Sequence, residues 1–165
     1  VGGGIILEGN LYRGSSFAAG EIGHMPINEN GPKCNCGGQA CLETYIGNKK
    51  IQNQAKALFK RAISLEELSL LAKKQNKKAI SIWSEAGMHL GKNLVGVVNL
   101  LNPDAIVIGG GVAGAGKVLF DRVKRIILNQ AMPVQARQVK VLKAKLGHDA
   151  GLLGAAILVK EGARR

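Results

Sequence analysis

Three cysteines stand within eight residues, at Cys34, Cys36 and Cys41, and nine residues separate Cys34 from His24 before it. Thiols crowded this closely and odd in number make a poor disulfide framework, and nothing in the opening stretch reads as a secretory leader. One imidazole and three thiolates form a complete soft, tetrahedral donor set for zinc, and a shell filled by protein marks a structural ion. Gly31, Gly37 and Gly38 let a short loop fold back around it. Three free thiols beside a hydrogen-bonded histidine would leave this density of cysteine without a use. The same chemistry points to a reducing, cytoplasmic compartment.

The remaining residues must supply a core without aromatic help. Only six of the 165 are Phe, Tyr or Trp, so aliphatic side chains carry it. The length fits one domain, and the apolar runs (Leu94 to Leu101, Ala105 to Ile108) are too short to span a bilayer. Ile5-Ile6-Leu7 and Leu11-Tyr12-Arg13 read as a hairpin turning at Glu8-Gly9-Asn10, and a short strand is expected near Met25-Pro26-Ile27. Helices are expected over 42–61, from the Ser64–Glu67 capping box to Lys74, over 78–101 with one apolar stripe, over 117–130, and over 150–160 with Asp149 as N-cap. Strands are expected at 105–108, apolar throughout as if covered on both faces, and at 139–146. Strands first, then helices alternating with strands, indicate an α/β layer fold.

The formal charge of +12 is unevenly spread: residues 1–48 carry −2 and residues 49–165 carry +14. Those cations fall mostly on predicted helices and only Phe59, Trp83 and Phe120 stand among them, too few for a row of base-stacking platforms, which favours a solvated basic surface over nucleic-acid binding. Glu21 stands three residues before His24, and Glu43 two after Cys41. Closing the loop around a metal would bring both carboxylates near each other, as a polyol pocket or as a plain surface pair. Gly2-Gly3-Gly4 and Gly109-Gly110-Gly111 fit either simple turns or bare backbone that lets a phosphate or nucleoside approach amides. Neither cluster has the Lys and Ser/Thr of a P-loop.

Ala19-Gly20-Glu21-Ile22-Gly23-His24, followed by Cys34-Asn35-Cys36-Gly37-Gly38-Gln39-Ala40-Cys41-Leu42-Glu43, resembles the signature of the ROK family of repressors and sugar kinases. Leu101-Asn102-Pro103-Asp104 through Gly111, and Leu146 through Ala156, are similar to the C-terminal lobe of the same family. The resemblance implies an actin-like, hexokinase-type (ribonuclease H-like) α/β lobe with an inserted zinc loop over residues 19–43. The first lobe and the catalytic base are then expected upstream of Val1. It implies zinc on His24, Cys34, Cys36 and Cys41, and sugar hydroxyls on Glu21, His24 and Glu43. Gly2, Gly3 and Gly4 match a phosphate loop, and Gly109, Gly110 and Gly111 the adenosine-side turn.

The activity so implied is transfer of the γ-phosphoryl of Mg-ATP to a hexose, glucose first among them, by a cytoplasmic homo-oligomer. The 165 residues alone are expected to be inactive. His148 and Asp149 come nearest to a substitute base by residue type, although a turn and helix cap is the plainer role. Family members usually carry glycine where Ala40 stands. Two further implied readings share every motif: the sugar-sensing half of a transcriptional repressor, which would need a DNA-binding segment upstream, and a kinase for an N-acetylated amino sugar.

Overall fold

The computed structural model describes residues 1–162, apart from the side chains of His148 and of residues 161–162. The chain opens on an antiparallel hairpin, β1 (Ile5–Leu7) against β2 (Asn10–Tyr12), in the register Ile5↔Tyr12. Its two loop residues both take positive φ, Glu8 at 52° and Gly9 at 77°. That is the geometry whose twist matches the flanking strands. The second arm thus begins one residue earlier than the sequence suggests.

The strand expected at Met25–Ile27 reduces to a single bridge, Pro26↔Cys41, flanked by the Ile27 amide donating to the Ala40 carbonyl and the Leu42 amide to the Met25 carbonyl, each at 3.0 Å. The single helix expected over 42–61 is two, α1 (Glu43–Ile46) and α2 (Asn48–Phe59). Between them Gly47 turns to ψ 146°, and a Cβ there would collide with the Glu43 carboxylate. Ser64 caps α3 (Leu65–Lys73) as the capping box requires, its Oγ accepting from the Glu67 amide at 3.1 Å. Asn76 does the same for α4 (Lys77–Leu101), accepting from the amides of Lys78 and Ala79 at 3.1 and 3.2 Å. Asn102, at φ 44°, closes α4 ahead of Pro103.

The long helix organises the core. Trp83, Leu94 and Val98 on α4 pack with Leu119, Val123 and Ile127 on α5 (Lys117–Gln130), all nearly or wholly buried. Two glycines permit the close approach. A Cβ at Gly87 would stand 3.0 Å from Arg122 Cβ and from the Leu119 carbonyl oxygen, and one at Gly91 would stand 3.0 Å from Ile126 Cβ. The parallel pair β3 (Ala105–Ile108) and β4 (Lys140–Lys143) is joined by the 3-10 turn Gly111–Ala115, by α5 and by α6 (Pro133–Gln138). Helix α6 carries no strong apolar period. It is started by Pro133 in its first turn and by Asn99 Oδ1, which accepts from the Met132 amide at 2.8 Å.

The described strands make two separate two-stranded sheets. β3 is covered on one face only: Ile108 is 8% exposed and Val107 is 62% exposed. Asp149 ends the 3-10 turn Gly147–Asp149, immediately ahead of α7 (Ala150–Gly162). Among the described residues no helix is long and apolar enough to cross a membrane.

Candidate metal centre

The cysteine loop is shaped by turn chemistry. The Gly37 amide donates to the Cys34 carbonyl at 3.0 Å and the Cys34 amide to the Gly38 carbonyl at 2.8 Å, with Gly37 at φ 91°. The Gly38 amide points at Cys36 Sγ, 3.4 Å away, and a Cβ at Gly38 would stand 3.4 Å from the sulfurs of both Cys36 and Cys41. Glycine at that position keeps the space beside the thiols free.

The four predicted ligands converge. Their donor atoms, one from each of His24, Cys34, Cys36 and Cys41, all lie within 4.8 Å of one another. Cys36 and Cys41 are 3.7 Å apart, sulfur to sulfur, and His24 Nδ1 is 3.6 Å from Cys34 Sγ. A tetrahedral zinc with ordinary ligand bonds has sulfur–sulfur edges of about 3.8 Å and sulfur–nitrogen edges of about 3.5 Å. The two close pairs match these edges while the whole set spreads to within 4.8 Å, and 3.7 Å is far beyond a disulfide bond. The residues fit the metal.

Electrostatics divide the thiols. The Cys36 backbone amide, helped by the neighbouring thiols and His24, holds Cys34 down at about 7, while burial pushes Cys41 up to about 11. Cys41 is 2% exposed, so it would ionise only against a cation held in the same cluster.

His24 faces two ways. Nδ1 is turned to the thiols, and Nε2 lies 3.8 Å from Glu21 Oε2, so the carboxylate sits where it can orient the ring. Glu43 begins α1 directly after the loop. His24 and Glu43 line an open groove of about 2350 Å³, together with Gly2, Gly3, Gly4, Gly109, Gly110 and Gly111. Glu21 stands outside that lining, against the histidine. The first residues of α2, Asn48 to Lys50, also border the groove, with Gly111 packed against Leu65 and near the Asn48 amide. Sequence reasoning missed Asn48 as a groove residue because it expected an unbroken helix there. Asp149 belongs to the turn before α7, and the His148 side chain lies outside the described residues.

Comparison with known proteins follows the same lines. Residues 1–162 match the model of the ROK family. A glucokinase of Halalkalibacterium halodurans is 35% identical over 98% of this chain and 53% of its own length. The N-acetylglucosamine repressor of Shigella flexneri is 33% identical over 97% of this chain and 41% of its own length. The crystal structure of a ROK family glucokinase from Streptomyces griseus in complex with glucose and AMPPNP superposes with a TM-score of 0.85 at 29% identity, over 95% of this chain and 56% of that one. The chain therefore spans about half the length of the curated glucokinases it matches and less of the repressors. A family match over nearly every residue, with sugar kinases among the fold neighbours, places the chain in the ROK family.

Proposed function

We propose that residues 1–165 form the C-terminal lobe of an actin-like hexose kinase, with residues 19–43 as its zinc- and sugar-binding loop. One observation carries the reading: His24 and Glu43 line a single groove with both glycine clusters, so sugar and nucleotide contacts face the same space. Zinc on His24, Cys34, Cys36 and Cys41 would fix the loop and neutralise its thiolates. His24 then presents Nε2 outward, Glu21 holds that ring, and Glu43 offers a carboxylate to a hexose hydroxyl. Gly2 to Gly4 and Gly109 to Gly111 leave room for the phosphates and nucleoside of Mg-ATP. Phosphoryl transfer rests mainly on positioning and charge, so such a lobe contributes by holding both substrates. The base that takes the hydroxyl proton comes from the other lobe, and glucose is the leading acceptor.

Similarity to repressors supports a second reading, in which the same pocket senses a sugar without turning it over. The parent protein separates the two. Glucose-dependent ADP release, lost in Glu43→Gln and reduced in Glu21→Gln, is expected for the kinase. Unchanged turnover in both variants would overturn the sugar-holding roles. Sugar-dependent DNA binding without ADP release would assign the chain to the sensors.

A further inference from the structure

Tyr45 lies two residues past Glu43 on α1, half-buried against the core. Its phenol oxygen accepts from Asn28 Nδ2 at 3.1 Å, at the start of the metal loop. The other edge of its ring leans on α4, where its centroid lies 4.6 Å from that of the His89 imidazole at a tilt of 37°. Gly31 makes room for the phenol: a Cβ there would run into Tyr45 Oη and stand 2.8 Å from Ala40 Cβ. The Gly31 carbonyl in turn accepts from Gln39 Nε2 at 3.0 Å. Both arms of the loop, at 28–31 and at 39–40, are thus gathered around one hydroxyl.

The backbone hydrogen bonds of residues 28–40 close within residues 27–40, so they shape the loop without fixing where it sits. His89 is suited to receive the ring. Its side chain is 13% exposed, and burial lowers the imidazole pKa against the opposing pull of Glu85, whose Oε1 lies 3.8 Å from Nε2.

We infer that Tyr45 is a positioning residue that, with Asn28 and His89, braces the metal loop against α4 and so sets where His24 and Glu43 stand in the groove. The inference rests on the sugar-holding role given to those two residues. Tyr45→Phe tests it, because the variant keeps the ring contact and removes the bond to Asn28. Loss of one such neutral hydrogen bond predicts about five-fold faster amide exchange over residues 28–40 in the metal-free chain, with α4 exchange unchanged. Zinc release to a chelator should quicken by a similar factor, and the parent enzyme's KM for hexose should rise more than its kcat falls. Asn28→Ala should reproduce these effects, and the double variant should add nothing further. Wild-type loop exchange in Tyr45→Phe, or full additivity with Asn28→Ala, would overturn the brace. A parent protein that neither binds zinc nor turns over sugar would overturn the kinase reading instead, while exchange in the metal-free chain still decides the brace.

Discussion

The metal loop and the helical body hold themselves together by different means. Between α2 and α5 the chain buries aliphatic side chains: Ile51, Leu68, Trp83, Val98, Leu119 and Val123 are all within 1% of full burial. Residues 28–41 bury Cys34, Ala40 and Cys41 and otherwise expose themselves, with Gly37 and Ala40 at positive φ. The body has a core that stands on hydrophobic burial. The loop has a ring of donor atoms within 4.8 Å of one another, which on the proposed reading an ion completes. Stability and function are therefore separable in this molecule, since every proposed sugar contact lies beside the loop or at the body's open edge.

The largest expected effect would come from breaking the loop alone. Cys41→Ser should lower zinc affinity by more than about 100-fold, beyond the usual cost of an outer partner, while far-UV helicity is retained. Coupled loss of both would show that the two regions are not independent. The converse is Leu119→Ala, which should lower stability by about 2–5 kcal/mol, read from denaturant unfolding, with one zinc still bound. Gly91→Leu acts on the same α4–α5 contact and should cost about 1–3 kcal/mol by overpacking.

A smaller, pH-dependent effect belongs to the seam between the regions. Burial lowers the His89 pKa on folding, partly offset by Glu85, so the unfolded chain binds the proton more readily. His89 therefore contributes no penalty above its ordinary value of 6.5, and stability should fall as pH drops from there toward the folded value. His89→Phe, which keeps a ring against Tyr45, should flatten that part of the stability–pH profile. Smallest of all, the metal-free chain should show graded thiol reactivity. Cys34, held at about 7, should alkylate first near neutral pH, and Cys41, raised to about 11, last.

The sequence disclosed the loop more fully than the body around it. Cysteine and histidine spacing carries its own chemistry, so the four candidate donors were legible without any tertiary information, and the structure brings all four together. The Ser64 cap was legible for the same reason, being a local bond between near neighbours. Long-range geometry was not. Helix α6 depends on Asn99 reaching across to Met132, and the local break at Gly47, where ψ turns to 146°, leaves no mark in the apolar pattern. Likewise the apolar run of β3 suggested two covered faces, while the neighbouring elements cover one. Tyr45 escaped notice because its partners, Asn28 and His89, lie 17 residues before it and 44 after.

The central claim is that a metal completes the loop while the body stands without it. Zinc titration of the purified chain against a chromophoric chelator, followed by cobalt substitution, tests this most directly. The account predicts one tightly held ion per chain, no free thiols while it is bound, and the absorption of tetrahedral sulfur-rich cobalt, with helicity preserved on chelation. Weak or absent binding with three reactive thiols would contradict it, and the sugar-holding roles of His24 and Glu43 would fall with the loop.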